Sequence, residues 1–484
     1  MTTRPDAPTA VDHASSGRRR EARLLTGARE LVARHWAITA VLLAGLVVRV
    51  LVVLAYNPFF WFTDTPGYLN GAESLRPNGA RPWGYSGFLV VVQHLGLSLR
   101  EIVFLQHLLV LGLGALLYAF LVHRGVARWL AALAIVPLAL SPLIVNIEHH
   151  VLSDSLFILL FSGAAVALAW SDGRPGTYVC ALGGLLAASA ALTRQVALVM
   201  ALVLVAYLLV RRVGVVRVGA FVVVFAIPVT AYLFWMHDTW GVWSFSTWRG
   251  KHLYARVAPI AQCDRLGSLT AQERLLCDPR PLDKRPGPEG YLWVGEDAPA
   301  RSLPDKVDLA FARKVILHQP LDYLRMVGTD TTHLFYPGQR QRRGEPCVAY
   351  WAYPDPLPGG CRTDAVGTKI WARHPFRTNK TLSPLLRDYQ RTDYAIGPFF
   401  LFCLLITATA LLWRIREPGW RLRLDAALFA VYGFGVTFSA FATANFSYRY
   451  SVPLYATLPL AAALATTHIL AVRARTAGTP EEPA

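Results

Sequence analysis

The chain has 484 residues, of which 54% are hydrophobic and only 16% are charged. A soluble domain carries roughly a quarter charged residues, so this composition excludes a soluble enzyme and predicts an all-α membrane protein with several spans. The formal net charge of +17 is consistent with a polyanionic partner or with arginine-rich cytoplasmic loops. We favour the loops, which leaves no role for nucleic acid as a partner.

Residues 1–35 contain a cluster of arginines and little apolar surface, and they predict a disordered basic tail in the cytoplasm. Ten apolar segments follow, and each is predicted to be a transmembrane helix. These segments are 36–56, 101–122, 129–147, 151–170, 177–193, 195–210, 217–236, 395–413, 424–442 and 451–472. No small-residue cleavage site follows the first segment, so we expect it to remain as the first span.

The basic residues orient the predicted spans. When the N-terminus is placed inside, every short connection on that side contains arginine, as cytoplasmic loops do. These arginines are Arg124, Arg128, Arg174, Arg211, Arg212, Arg217, Arg414, Arg416, Arg421, Arg423, Arg473 and Arg475. The pattern predicts a multi-pass plasma-membrane protein with both termini in the cytoplasm, the second as a short tail at 473–484.

The topology divides the rest of the chain into two membrane modules and one insertion. Spans one to seven form an N-terminal module at 36–236, which includes a first extracytoplasmic loop at 57–100. Spans eight to ten form a C-terminal module at 395–472. Only the water-exposed segment 237–394 is large enough to fold as a domain. We expect this extracytoplasmic insertion to contain a mixture of helices and strands.

The insertion contains four of the six cysteines, and cysteines outside the cytoplasm commonly form disulfides. Cys263 and Cys277 are 14 positions apart, as are Cys347 and Cys361. Local pairing within each couple is the connectivity that we prefer among three. Free thiols are the alternative.

Polar residues collect at the predicted outer ends of the spans rather than in their centres. A charge at the hydrocarbon boundary is costly unless it faces water or a partner, so a shared extracytoplasmic cavity is the simplest explanation. The candidate lining residues are Asp64, Tyr68, Arg81, Tyr85, Glu148, His149, His150, Asp154, Arg194 and Arg449. We expect Asp64, Arg194 and Arg449 in particular to converge there.

Two residue types in this set suggest chemistry. Asp64, in a loop that contains proline and glycine, is suited to act as a general base; an Asx turn or a helix cap is the structural alternative. Arg194 and Arg449 suit a phosphate because a guanidinium group matches its geometry. Snorkelling to the lipid headgroups is the alternative for both, and Arg81 fits either purpose.

The segment 148–154 allows three interpretations. His150 and Asp154 are four residues apart and would share one face of a helix. With His149 they could form a metal site, a proton relay or a hydrogen-bonded structural cluster. The spacing matches no strong metal-ligand signature, so no metal or other cofactor is firmly implied and a divalent cation stays open.

Asp64 together with residues 81–89, RPWGYSGFL, resembles the first extracytoplasmic loop of the GT-C superfamily of integral membrane glycosyltransferases. The most similar in character are the polyprenyl-phosphate-sugar-dependent members, such as the protein mannosyltransferases and the aminoarabinose transferases of lipid A. Further matches are the acidic segment 148–154, the segment 192–194 (LTR) and the segment 448–453 (YRYSVP). Together these motifs cover the membrane part of the chain.

The resemblance implies a GT-C-like fold of about ten transmembrane helices and an inverting transfer of a monosaccharide. The donor would be a polyprenyl-phosphate-linked sugar, and the acceptor an envelope glycan, lipid or protein. At the matching positions Asp64 would be the catalytic base, while Arg194 and Arg449, with help from Arg81, would bind the donor phosphate. The expected substrate-binding residues are Tyr68, Tyr85, Glu148, His149, His150 and Asp154.

The sequence departs from the resemblance in two ways. The first loop has the single acid Asp64 between Thr63 and Thr65, so the paired-acid metal motif of oligosaccharyltransferases is absent. The insertion lies between spans seven and eight, whereas in several relatives a soluble addition follows the last span. The first departure leaves metal dependence open, and the second leaves the acceptor class open.

Three other functions remain as alternatives. A transporter or flippase predicts polar residues through the centres of several spans, and these centres are expected to be apolar. A non-catalytic envelope assembly protein predicts that Asp64 can be exchanged freely. A membrane enzyme that transfers a phospho- or acyl group differs only in its product.

Overall fold

The computed structural model describes residue 30 and residues 32–292, 303–342, 348–354, 376–412 and 420–476. Most of these residues are helical, and each of the two strands among them has two residues. The apolar composition and the helical structure together define an all-α membrane protein, as the sequence predicts.

The helices follow each other with short connections. Those of the first membrane module are α1 Trp36–Ala55, α2 Thr65–Ser74, α3 Gly84–His94, α4 Leu99–His123, α5 Arg128–Leu140, α6 Pro142–Glu148, α7 Asp154–Trp170, α8 Thr177–Thr193, α9 Ala197–Val210 and α10 Val215–Trp240. Those that follow are α11 Arg249–Val257, α12 Ala271–Arg274, α13 Pro288–Leu292, α14 Asp305–His318, α15 Pro320–His333, α16 Leu382–Gln390, α17 Ile396–Leu412, α18 Trp420–Thr443 and α19 Val452–Thr476.

Within the described residues, six helical stretches are long and apolar enough to cross a bilayer. They are α1, α4, α10, α18, Leu382–Leu412 and Tyr448–Ala474. Helices α5 and α6 pass the same test together but are bent by 52°. Helices α7, α8 and α9 are apolar but have 17, 17 and 14 residues, fewer than the ~20 that a span needs. Each predicted segment thus lies in an apolar helical stretch, and the number of spans, ten, stays a prediction.

The membrane helices approach closely where a glycine faces a neighbour, as is common in membrane proteins. Gly184 of α8 lies against the backbone of Phe221 in α10, and Gly433 of α18 lies against Thr457 of α19. A Cβ atom at either glycine would collide with these neighbours. The separation of these two helix pairs therefore depends on glycine.

The first loop forms two short helices and is joined to other parts of the chain. The strand β1, Tyr56–Asn57, pairs antiparallel with β2, Arg377–Thr378. In the next turn, the backbone N–H of Phe60 donates to the carbonyl oxygen of His149 at 2.9 Å. The hydroxyl of Thr65 donates to the carbonyl oxygen of Val151 at 3.3 Å. The loop therefore runs beside the connection between α6 and α7.

Over its described residues the insertion forms short helices and a single two-residue strand, β2, so strands contribute far less there than expected. Its core lies between α11 and α14, where Tyr254, Phe311 and Val315 are buried together. Helix α10 continues to Trp240, so the first membrane module ends later than the sequence predicts.

A disulfide joins Cys263 and Cys277, whose Cα atoms are 6.1 Å apart. This is the local pairing that the sequence predicts, and it closes the loop that contains α12. The other predicted pair, Cys347 and Cys361, lies outside the described residues.

Candidate active site

Five segments bring a charged residue to the same end of the helix bundle. Asp64 immediately precedes α2, and Arg81 lies shortly before α3. Asp154 is the first residue of α7, and Arg194 follows the last residue of α8. Arg449 lies in the 3-10 turn that leads into α19. All five residues are therefore held at helix ends, where rigid elements fix their positions.

These five side chains form one continuous chain of ion pairs, which we call the Asp64 network. Arg81 pairs with Oδ1 of Asp64, and Nη1 of Arg449 donates to Oδ2 of Asp64 at 2.7 Å. Nε and Nη2 of Arg449 lie 2.8 and 2.7 Å from Oδ2 of Asp154. Arg194 pairs with Oδ1 of Asp154. The structure thus brings together Asp64, Arg194 and Arg449, with Arg449 as the bridge between the two carboxylates.

The Asp64 network is closed at its centre and open at its edges. The side chains of Asp154 and Arg449 are 2% and 6% exposed, whereas that of Asp64 is 14% exposed and those of Arg81 and Arg194 are each 19% exposed. Three guanidinium groups face two carboxylates, so one positive charge within the network has no opposite charge. An anion that reaches the outer arginines would balance it.

The charges in the network control each other's ionisation. Burial alone would raise the pKa of the Asp64 carboxyl, but the charges and hydrogen bonds of Arg81 and Arg449 hold that pKa well below its usual range. Burial opposes the charge of Arg81, and the carboxylate of Asp64 nevertheless raises the Arg81 pKa. Both groups are therefore ionised at neutral pH.

A histidine of the insertion lies in the same electrostatic field. Burial and the positive charge of Arg81 lower the pKa of His252, in α11, to about 4. Its imidazole is therefore neutral at pH 7. Helix α11 is held beside Arg81 because the backbone N–H of Thr247 donates to the carbonyl oxygen of Gly79 at 2.7 Å.

Aromatic rings surround the arginines. The guanidinium carbon of Arg449 lies 5.2 Å from the ring centre of Phe62, and that of Arg194 lies 5.6 Å from Tyr450. The corresponding distance from Arg81 to Tyr68 is 6.0 Å. Cations at these distances from a ring are stabilised by its negative face. The rings therefore help to hold the arginines in position independently of their ion pairs with the carboxylates.

The two tyrosines predicted to bind substrate differ in position. The hydroxyl oxygen of Tyr68 lies 3.0 Å from Oγ of Ser153, next to Asp154. Tyr85 is fully buried behind it, and its hydroxyl donates to Oε1 of Gln106 at 2.6 Å. Tyr68 therefore belongs to the wall of the site, whereas Tyr85 supports Tyr68 through a ring contact of 4.9 Å.

The structural alternatives for the site residues can be compared with these contacts. Asp64 occupies the residue before α2, but its side chain makes no capping hydrogen bond to that helix. Arg194 and Arg449 both pair with Asp154 instead of extending to the lipid headgroups. Ion pairing therefore accounts for these three side chains better than capping or snorkelling does.

Glu148 and His149 belong to a separate group, which we call the Glu148 row: Arg49, His107, Glu148 and His149. Arg49 donates from Nε and Nη2 to the two oxygens of Glu148 at 2.8 and 2.7 Å. Nδ1 of His107 lies 2.6 Å from Oε2 of Glu148, and Nε2 of His107 lies 3.3 Å from Nδ1 of His149. All four residues are almost completely buried. The row is enclosed by the protein, and the substrate-binding roles expected of Glu148 and His149 stay predictions.

His150 is also buried, and Nδ1 of its ring lies 2.9 Å from the carbonyl oxygen of Asn146. Its ring centre is 6.2 Å from that of Phe62, the ring that contacts Arg449. The expectation that His150 and Asp154 share a helix face is wrong because α7 begins at Asp154. Of the acidic segment, Asp154 alone enters the network.

Sequence reasoning missed Arg49, because the span centres were expected to be apolar. A single arginine in an otherwise apolar helix is a signal that an acidic partner lies on a neighbouring helix. The adjacent polar residues Gln106 and His107 in α4 are a second such signal. His252 has no comparable signal, because it is one of many polar residues in the insertion.

In the part of the chain that the structure describes, no group of three or more His, Cys, Asp or Glu side chains is arranged to hold a metal ion. The Asp64 network places an arginine on each side of every carboxylate, where a divalent cation would meet like charge. Metal dependence stays open.

Comparisons with known proteins identify no relative. No family model matches the sequence, and neither a curated protein nor a solved structure matches it. The function is therefore argued from the site.

Proposed function

We propose that this protein is an integral membrane glycosyltransferase of the GT-C type, with its site at the outer face of the plasma membrane. It transfers a monosaccharide from a polyprenyl-phosphate carrier to a cell-envelope acceptor, which is a glycan, a lipid or a protein. The observation that supports this proposal is the Asp64 network, which combines an ionised carboxylate with three arginines at one end of the apolar helices.

The arginines are suited to the phosphate of the donor. Lipid phosphates lie near the ends of membrane helices, and a guanidinium group binds phosphate through two parallel hydrogen bonds. Arg81 and Arg194 are the most exposed arginines of the network, and they would make the first contacts. Arg449, which is more buried, would hold the phosphate oxygen that carries the developing charge.

In the transfer step, the oxygen of an acceptor hydroxyl attacks the anomeric carbon of the sugar from the face opposite the phosphate. The new C–O bond forms as the bond between the sugar and the phosphate oxygen breaks, and the electron pair leaves with the polyprenyl phosphate. The acceptor proton passes to the carboxylate of Asp64. The anomeric configuration is inverted, and the arginines stabilise the leaving phosphate.

The base strength of Asp64 depends on the donor. In the free protein Arg81 and Arg449 hold the Asp64 pKa well below its usual range, which makes the carboxylate a weak base. A phosphate that takes over hydrogen bonds from these arginines weakens their hold on Asp64, and the pKa of the carboxyl then rises. Asp64 becomes a better proton acceptor only when the donor is bound, so an empty site has little reactivity.

The proposal is tested by lipid and glycan profiling of three strains: a deletion strain, a strain with Asp64→Ala and a strain with Glu73→Ala. Asp64→Ala should leave the protein level unchanged while one envelope glycan disappears and its carrier-linked sugar accumulates, as in the deletion strain. Glu73 is an exposed acid on α2, and its replacement should leave the profile normal. A normal profile in the Asp64→Ala strain, with the deletion strain defective, would remove the catalytic role of Asp64.

A further inference from the structure

The Glu148 row has hydrogen bonds that restrict where its protons are. Nε2 of His149 lies 2.7 Å from the backbone carbonyl oxygen of Tyr56. A carbonyl oxygen only accepts hydrogen bonds, so Nε2 of His149 must carry a hydrogen. In a neutral imidazole the other nitrogen is then an acceptor. Nδ1 of His149, which faces His107, is therefore an acceptor unless the ring is charged.

The same reasoning applies to His107 from the other side. Its Nδ1 lies 2.6 Å from Oε2 of Glu148, and the Glu148 carboxyl also accepts two hydrogen bonds from Arg49. An ionised carboxylate only accepts, so Nδ1 of His107 must donate to it. Nε2 of a neutral His107 is then an acceptor as well.

Two neutral rings would therefore direct two lone pairs at each other, across the 3.3 Å between Nε2 of His107 and Nδ1 of His149. One additional proton removes this conflict. It can reside on His107, on His149, or on Glu148, in which case the carboxylic acid donates to His107 and His107 donates to His149. The number of protons in the row is the same for all three placements. It is one more than in a row made of the Arg49–Glu148 ion pair and two neutral imidazoles.

Burial of the two imidazoles and the charges of Arg49 and Arg100 oppose a positive charge in the row, whereas two helix ends favour it. Helix α1 ends at Ala55, immediately before the Tyr56 carbonyl group, and α6 ends at Glu148; the C-terminal end of a helix stabilises a cation. The positive charge of Arg49 repels the additional proton, but its ion pair with Glu148 offsets much of that repulsion. The other titratable groups that interact with the row are Arg100, His150, Tyr353 and Tyr389.

The row also joins the two loops that carry the acids of the Asp64 network. His149 holds the Tyr56 carbonyl group through its ring and the Phe60 N–H through its backbone oxygen at 2.9 Å, and the chain then continues to Asp64. On its other side, the segment from Glu148 continues to Asp154. We propose that the Glu148 row is a binding site for one proton, and that this proton fastens the loops that present Asp64 and Asp154.

This proposal does not depend on the glycosyltransferase activity, and it is tested spectroscopically on the full-length protein in lipid nanodiscs. Nitrogen NMR spectra of protein with ¹⁵N-labelled histidine detect a ring that is protonated on both nitrogens. Infrared spectra detect a protonated carboxylic acid. An exposed histidine has a pKa of about 6.5 and is neutral at pH 8. A proton that is still bound at pH 8 is therefore not on an exposed histidine.

At pH 8 we expect one of these two signals in the unaltered protein and its loss in His149→Ala, because that variant removes the facing acceptor. His94→Asn, which changes an exposed histidine on α3, should keep the signal. If neither signal at pH 8 depends on His149, the proposal is overturned.

A second measurement covers the case in which the signal is difficult to assign. A folded state that holds one proton more than the unfolded state loses stability as the pH rises, by about tenfold in the folded-to-unfolded ratio for each pH unit above the imidazole pKa of about 6.5. Unfolding between pH 6.5 and pH 8.5 should show this slope in the unaltered protein, and His149→Ala should flatten it. Equal slopes in the two proteins would contradict the proposal.

Discussion

The Asp64 network and the Glu148 row are both buried groups of arginines and acids, and they differ in how far solvent and ligands can reach their charges. In the Glu148 row, Arg49 donates to both oxygens of one carboxyl and has further bonds to the carbonyl oxygens of Gly45 and Ala139 at 3.0 and 2.6 Å. In the Asp64 network three arginines share two carboxylates and the outer two are partly exposed. A closed group without exposed charge is suited to fasten helices, and an open group whose excess positive charge is accessible is suited to bind an anion.

The comparison also shows that burial of charge is by itself a poor guide to function. Both groups lie at the same end of the bundle, and both contain acids that the sequence marks as candidates. Removing one partner of a buried pair destabilises a protein whether or not the pair is functional. The two regions are therefore distinguished by variants that separate stability from ligand binding.

The largest effect is expected for Arg49→Met, which leaves Glu148 without its partner. An uncompensated buried charge costs about 3 to 5 kcal/mol, and we expect the free energy of unfolding in detergent to fall by that amount. The protein that remains folded should bind polyprenyl phosphate as before. A stability change below about 1 kcal/mol would mean that the row does not fasten the helices.

A smaller effect, on binding rather than on stability, is expected for Arg194→Gln. Hydrogen bonds to charged groups contribute about 1.5 to 3 kcal/mol, so the affinity for polyprenyl phosphate in a titration should fall roughly 10- to 100-fold. Stability should change little, because Arg449 still pairs with Asp154.

Two controls accompany this titration. Arg174→Gln changes an exposed arginine of a predicted cytoplasmic loop and should leave the affinity unchanged. The neutral polyprenol, which has no phosphate, should bind the unaltered protein and Arg194→Gln equally. An equal loss of affinity for both lipids would mean that Arg194 contributes to packing and not to phosphate recognition.

The smallest effect is the pH dependence of stability that Asp64 contributes. Its carboxyl has a lower pKa in the folded protein than the ordinary 3.8, so the unfolded state binds the proton more readily. The stabilisation is fully present above pH 4 and is lost as the pH falls below that value. Because Asp64 is partly exposed, we expect on the order of 1 kcal/mol. Unfolding curves recorded from pH 5 down to pH 2 should show this slope, and Asp64→Asn should remove it.

The sequence predicts a large part of this architecture because hydrophobicity acts locally. The runs of apolar residues predict the helical stretches to within a few positions, and the spacing of Cys263 and Cys277 predicts their disulfide. Helix boundaries are less certain where turns are buried, as at Glu148 to Asp154. The proportion of helix and strand in the insertion was not predictable, because its short amphipathic segments are compatible with both structures.

The candidate site was predictable as a set of residues and not as an arrangement. Asp64, Arg194 and Arg449 could be selected because each is a charged residue beside an apolar segment. Their pairing depends on how α1, α7, α8 and α19 are placed relative to each other, which no local pattern encodes.

The amino-acid sequence by itself determined that this protein is a helical membrane protein with charges gathered at helix ends, because water excludes apolar runs and the bilayer excludes charge. Tertiary structure alone decided which acid meets which arginine. Glu148 and Asp154 are only six positions apart, yet one points into a closed row with Arg49 and the other into the open network with Arg449. A turn of backbone between α6 and α7 separates them, and its direction follows from the packing of helices that are distant in the chain.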